Sequence, residues 1–210
     1  MILHNMSTIG IINYGMGNLT SVKNAIEFTG GSVTILNSAT ELSTVEKVIL
    51  PGVGAFGMAI QNLRNNHWES AINEYASSGN PLLGLCLGMQ LLLDESDEHG
   101  IHKGLGLVQG KVCSLSNNIE NLPVPHMGWN NLNLKNESAL TQYLDATEND
   151  VYFVHSYYCK LENPSEVIAT CDYGIEIDVI LQKGNIFGCQ FHPEKSQKNG
   201  LQIIENFIKL

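Results

Sequence analysis

Basic residues are scarce: 11 Lys+Arg stand against 21 Asp+Glu in 210 residues, and charge of either sign makes up only 15% of the chain. The net charge of −10 repels phosphate backbones and anionic lipid, which argues against nucleic-acid and membrane-surface roles. A small anionic ligand, or a partner with a local basic patch, stays compatible with it. Long apolar runs are missing too. The run Ile9–Ile12 near the start is far too short for a membrane span or an export signal, and no basic segment precedes it. The expectation is a soluble, cytoplasmic chain. Among the five cysteines (Cys86, Cys113, Cys159, Cys171, Cys189) there is no CxxC pair and no His/Cys ligand spacing, so no metal site is expected. An odd, dispersed set suits a reducing compartment, with most thiols buried and inert.

Hydrophobic residues, at 43%, are enough to build a packed core without disulfides or metals. No repeat, low-complexity tract or linker-like stretch divides the chain, so residues 1–210 read as one domain. Met1–Asn5 precede a second methionine, Met6, and read as an N-terminal extension. The first half alternates strand and helix signals. Thr8–Ile12, Val33–Leu36, Val45–Leu50 and Pro81–Leu85 read as strands. Leu19–Phe28, Ala59–Ala76 (broken near Asn65-Asn66) and Gly88–Leu93 carry helical spacing. That alternation predicts an α/β fold, a mainly parallel sheet with helices on both faces. From about Gly104 the pattern changes to short strand-like pieces: Leu105–Val112, Trp129–Leu134, Val151–Tyr158, Glu166–Thr170, Ile175–Leu181 and Ile186–Gln190. A helix over Leu201–Ile208 closes the chain.

The most informative segment is Pro81-Leu82-Leu83-Gly84-Leu85-Cys86-Leu87-Gly88-Met89-Gln90. A strand runs through Gly-x-Cys-x-Gly into a helix, the sulfur counterpart of a nucleophile elbow, in which flanking glycines permit a tight, strained turn. The helix N-terminus beneath the sulfur favours thiolate over thiol. The Leu87 N–H points where an oxyanion forms. The plain alternative is a small buried Cys in a glycine-bracketed turn.

A thiolate hydrolase also needs a base and a group to orient it. Gly188-Cys189-Gln190-Phe191-His192-Pro193-Glu194-Lys195-Ser196 supplies both. His192 follows an apolar strand, Pro193 turns the chain, and Glu194 is close enough to curl back onto the imidazole. The plain alternative here is a loop His with a solvated Glu. Pro51-Gly52-Val53-Gly54 is a glycine-rich turn after a buried strand. No Gly-Lys-Ser/Thr follows it, so a phosphate loop is a poor fit. A second source of oxyanion N–H groups near Val53 fits better.

These blocks, in this order, resemble the class I (triad) glutamine amidotransferases over nearly the whole chain. More narrowly, the likeness is to glutaminase subunits of imidazole glycerol phosphate synthases. The matching segments are Tyr14-Gly15-Met16-Gly17-Asn18, Pro51-Gly52-Val53-Gly54-Ala55-Phe56, Cys86-Leu87-Gly88-Met89-Gln90, Pro125-His126-Met127-Gly128-Trp129-Asn130, Val154-His155-Ser156-Tyr157 and Gln190 to Ser196. The resemblance implies a flavodoxin-like fold, with Cys86 as nucleophile, His192 as acid/base and Glu194 as its orienter. It implies that Gly52, Gln90 and Glu98 hold glutamine, and that His155, Ser156 and Tyr157 lie near the substrate. It places the Gly15, Met16, Gly17 and Asn18 loop on the side facing a partner. The His-Met-Gly-Trp-Asn block is a branch marker, with Trp129 expected at the partner interface, although plain packing also accounts for His126 and Trp129. The implied partner is a cyclase-type (β/α)8 barrel protein that takes up ammonia for a ribonucleotide intermediate of histidine biosynthesis. Acyl transfer of this kind requires no cofactor.

One departure from the family pattern is Asn13, where the usual residue before Tyr-Gly is Asp. It removes a carboxylate from the partner-facing end and keeps a second branch in view, paralogous glutaminase subunits that supply ammonia for a surface-sugar precursor. A silent scaffold of the same fold is a further alternative, against which the complete Cys, His and Glu set argues.

Overall fold

In the computed structural model, which describes residues 8–210, a strand–helix rhythm builds the first half. The elements are β1 (Thr8–Ile12), α1 (Leu19–Phe28), β2 (Ser32–Leu36), β3 (Lys47–Leu50), α2 (Phe56–Asn65), α3 (Trp68–Ser77), β4 (Leu82–Leu85) and α4 (Leu87–Leu91). The second half contributes β5 (Leu93–Ser96), β6 (His102–Lys103), β7 (Val108–Ser114), β8 (His126–Asn130), β9 (Asn133–Leu134), β10 (Val151–His155), β11 (Tyr157–Leu161), β12 (Val167–Asp172), β13 (Glu176–Lys183), β14 (Ile186–Cys189) and α5 (Gln197–Lys209). The expected extension Met1–Asn5 and Met6 lie outside the described residues.

The main sheet runs β2-β1-β3-β4-β14-β13-β11-β7-β5-β6, with β12 and β9 attached beside β13. Its first five strands are mutually parallel, as the alternation predicts, because β14 returns from the second half to pair in parallel with β4. Beyond β14 the pairing is mostly antiparallel. Helices cover both faces. Val22, Ala25 and Ile26 of α1 and Ile203, Ile204 and Phe207 of α5 pack on one side. Phe56, Ile60 and Leu63 of α2 and Trp68, Ile72 and Tyr75 of α3 pack on the other. In each helix the buried residues recur at three- and four-residue spacing, one apolar stripe facing the sheet.

Several expected elements differ. The helix expected over Gly88–Leu93 spans Leu87–Leu91, and Leu93–Ser96 forms β5 instead. The strand expected over Val151–Tyr158 divides at Ser156. β10 pairs only with β8 in a separate two-stranded sheet, whereas β11 joins the main one. The break expected near Asn65-Asn66 separates α2 from α3.

Because β1, β3, β4 and β14 are parallel, their carboxyl ends share one edge. There the order reverses between β1 and β3, the usual place for a crevice in open α/β sheets. The loops leaving these strands are residues 13–18, Pro51–Gly54, Cys86 and Gln190–Glu194. Adjacency of β3, β4 and β14 therefore brings the turn, the elbow and the His-Pro-Glu segment side by side.

Candidate active site

Cys86 stands between β4 and α4 with φ 53° and ψ −111°, a strained conformation for a residue with a Cβ. Its N–H donates to Cys189 O at 2.7 Å, and its carbonyl accepts from Gln90 N at 3.2 Å, so backbone on both sides holds the strain. Both flanking glycines are required by close approach. A Cβ on Gly88 would lie 1.8 Å from Leu50 O, and one on Gly84 would lie 2.6 Å from Gly88 O. Leu87 opens α4, so its N–H has no intrahelical acceptor.

The side chains of His192 and Glu194 are buried, and His192 Nδ1 lies 2.8 Å from Glu194 Oε1. A short 3₁₀ turn over Pro193–Lys195 produces this curl, closed by Ser196 N donating to Pro193 O and by Ser196 Oγ donating to His192 O. Burial pulls the imidazole pKa down, but the hydrogen bonds and charges of Cys86 and Glu194 outweigh it and bring the value up to about 9. The other ring edge thus faces the Cys86 sulfur.

These groups open onto a cavity of about 400 Å³ lined by Val53, Gly54, Cys86, Leu87, Gln90, Glu98, Pro125, Val154, His155, Ser156, Tyr157, His192 and Lys195. A larger cleft of about 660 Å³ along residues 134–142 holds no Cys or His. Of the expected substrate residues, Gln90, Glu98, His155, Ser156 and Tyr157 line the cavity. Gly52 sits behind its wall, where a Cβ would meet the Tyr14 hydroxyl at 2.7 Å and Gly88 N at 2.9 Å. The Tyr14 hydroxyl donates to Pro51 O at 2.9 Å, tying the residue 13–18 loop to the Pro51–Gly54 turn. Glu98 Oε2 accepts from Phe56 N at 2.5 Å, so the same carboxylate caps α2 and faces the cavity. Gln90 Nε2 donates to Tyr157 O at 2.9 Å and to Gln190 Oε1 at 3.1 Å. Both its hydrogens are thereby committed, and its own carbonyl oxygen is what it can offer a ligand.

The expected partner-facing residues lie apart from the cavity lining. Asn18 Oδ1 accepts from Ser21 N at 3.3 Å and caps α1. Gly15 and Gly17 take positive φ of 89° and 150°, while Met16 reaches back to Gly54. On β8, His126 points inward, stacked between Phe153 and Tyr173 at ring separations of 4.6 and 3.9 Å. Met127 and Trp129 alternate outward, and Trp129 leans edge-on against Tyr152. Residues the sequence reading left without a role are Gly54, Pro125, Val154 and Lys195 in the lining and Gln190 behind Cys86. All five stand inside the segments that match the family, which is the available signal, but nothing in residue type or spacing gives any of them a role of its own.

A family model described as glutamine amidotransferase class-I matches residues 10–210. The chain is 46% identical over 206 residues to an imidazole glycerol phosphate synthase subunit HisH of Bacillus subtilis (strain 168), covering 96% of each chain. It is 47% identical over 200 residues to the protein of the same name in Listeria monocytogenes, covering 95% of this chain and 94% of that one. In fold it is similar to the solved structure of PurLQS from Thermotoga maritima, with a TM-score of 0.77 and 17% identity over 97% of this chain and 98% of that chain. It is also similar to the solved structure of a glutamine amidotransferase from Thermotoga maritima, with a TM-score of 0.63 and 18% identity over 91% of this chain and 77% of that chain.

Proposed function

The chain belongs to the class-I glutamine amidotransferases, and from that premise we propose that it is the glutaminase subunit of an imidazole glycerol phosphate synthase. It hydrolyses glutamine to glutamate and ammonia for a cyclase-type (β/α)8 partner in histidine biosynthesis. The observation that carries the chemistry is the positive-φ Cys86 at the carboxyl edge of the sheet, sharing one cavity with His192, whose ring the Glu194 side chain holds from behind. The names of the relatives favour this acceptor over a surface-sugar precursor.

Glutamine enters with its side-chain amide carbon against Cys86. The thiolate attacks, a carbon–sulfur bond forms, and the amide oxygen takes the negative charge beside the Leu87 N–H and the turn at Val53. His192, protonated at neutral pH, gives its proton to the departing nitrogen as the carbon–nitrogen bond breaks. Ammonia leaves a γ-glutamyl thioester. The now neutral His192 takes a proton from water, which attacks the thioester carbon, and collapse releases glutamate and restores the thiolate. Glu194 holds the ring in the tautomer that presents Nε2 to the sulfur and stabilises its charged form. Gln90 accepts a donor of the substrate, and Glu98 and Tyr157 shape the far end.

An uncoupled glutaminase would waste glutamine. The Pro51–Gly54 turn, with Gly54 at φ 100°, is therefore held unproductively until the partner binds its acceptor. The residue 13–18 loop, tied to that turn through Tyr14 and Met16, and the outward Trp129 face the partner. The chain acts as one catalytic unit in the cytoplasm. Two results test the chemistry. A glutamine-like electrophile labels Cys86 in the unmutated protein, and Cys86→Ala releases no glutamate while its melting curve is unchanged. Substantial turnover by that variant would overturn the assignment.

A further inference from the structure

In and behind the cavity wall a chain of buried polar side chains, joined through one backbone carbonyl that fixes its polarity, runs from strand β8 to the sulfur of Cys86. Tyr157 O can only accept. It lies 2.9 Å from His155 Nδ1 and 2.9 Å from Gln90 Nε2. His155 Nδ1 therefore carries the ring proton, and its Nε2 is a bare acceptor in the neutral ring. His126 Nδ1, 2.9 Å away, must donate to it. That leaves His126 Nε2 bare to take Asn130 Nδ2 at 3.5 Å. Burial holds both rings neutral, lowering His126 to about 4 and His155, with the charge of His126 adding, to about 3.

In the other direction, Gln90 Nε2 donates to Gln190 Oε1 at 3.1 Å. A reversed Gln190 amide would set NH₂ against NH₂ in a fully buried position. The Gln190 amide is thus locked with its Nε2 toward Cys86 Sγ, at 3.9 Å. The remaining titratable groups interacting with the sulfur are His192, Tyr14 and Cys159. Gln190 offers the sulfur a neutral amide N–H.

We propose that Gln190 is a positioning residue for the nucleophile, donating to the Cys86 thiolate and oriented through Gln90, Tyr157 O and the His155–His126–Asn130 chain. The proposal rests on Cys86 being the nucleophile. It makes Gln190 a second donor to the thiolate beside His192, one that cannot release a proton. It also gives the buried histidines of β8 and β10 a task, fixing the wall that orients that donor.

The test is the pH dependence of iodoacetamide alkylation, read on the Cys86 peptide by mass spectrometry so that the other four thiols do not interfere. Gln190→Met keeps length and removes the donor, and Gln190→Glu keeps the acceptor for Gln90 but sets a carboxylate beside the sulfur. The alkylation midpoint moves up by ~0.5–1 pH unit in Gln190→Met and further in Gln190→Glu. Loss of packing alone would lower the melting temperature and leave the midpoint in place, and an unmoved midpoint in either folded variant overturns the proposal. The unmutated chain supplies a reading that no folding defect can blur. The Gln190 side-chain amide resonance titrates with the Cys86 alkylation midpoint and stops doing so in Cys86→Ala; an amide that ignores Cys86 ionisation overturns the proposal. Failure of the glutaminase reading looks different, since there Cys86 is not labelled by a glutamine-like electrophile at all.

Discussion

Two side chains two positions apart carry most of the proposed acid/base chemistry, and the turn between them decides it. In a helix His192 and Glu194 would point apart, and in an extended strand they would share a face but stand about 6.5 Å from each other. Pro193 and the Ser196 hydroxyl fold the segment so that Nδ1 meets Oε1 at 2.8 Å. Glu194 is one of the causes that bring the imidazole up to about 9. Glu194→Gln, which removes the charge and keeps the shape, should lower the His192 midpoint in an NMR titration. It should also cut glutamine turnover by about 10²-fold or more. An unshifted midpoint would contradict the role of orienter. Asn13 gives a smaller lesson of the same kind. Its amide donates to Asn37 Oδ1 at 2.9 Å, and its Oδ1 receives Gly15 N at 3.4 Å. The residue that departs from the family pattern is thus engaged in shaping its own loop.

At the scale of elements, contact between β3 and α4 sets the elbow. Gly88 lies against Leu50 O so closely that no side chain fits, and Leu50 and Cys86 stand at the ends of neighbouring strands. Gly88→Ala should therefore cost about 3 kcal/mol or more, measured as a lowered urea midpoint, together with loss of Cys86 labelling. A variant as stable as the parent would show that the elbow does not depend on this approach. The same elements mark what the sequence could reveal. The parallel half, the helices on both faces and the blocks around Cys86, His192 and the Pro51–Gly54 turn were legible, because periodicity, glycines and proline are local signals. The short α4 and the strand β5 were not. Leu91-Leu92-Leu93 is an apolar run that helix and buried strand share, and tertiary pairing with β7 decided it. The run Val151–Tyr158 likewise hid a change of sheet at Ser156. Gln190 ends a strand by periodicity and opens a matching block, yet nothing in the local pattern shows that its amide meets Cys86 Sγ.

For the whole molecule, the buried histidines shape stability against pH from both sides. His126 and His155 are held neutral in the fold, at about 4 and 3. Their contribution is complete above the unfolded value near 6.5 and is lost as pH falls toward those midpoints. His192 holds its proton more tightly folded than unfolded. Its contribution is complete below about 6.5 and is lost as pH rises through about 9. Unfolding free energy should therefore be greatest near the middle of this range. Each neutral histidine adds a slope of about 1.4 kcal/mol per pH unit on the acid side. Urea titrations of His126→Gln from pH 6 to 4 should show a shallower acid limb than the parent, and an identical slope would mean the ring is protonated in the fold.

The central claim joins this chemistry to a partner, and one measurement reaches both: glutamate release from glutamine by the chain alone, with a cyclase-type barrel protein, and with that barrel plus its imidazole-pathway ribonucleotide. The account predicts slow release alone and a large rise when partner and ribonucleotide are both present, lost in Cys86→Ala. Turnover equally fast without the partner would contradict the gating. No stimulation by this pair, with Cys86 still reactive toward a glutamine analogue, would contradict the assignment to histidine biosynthesis.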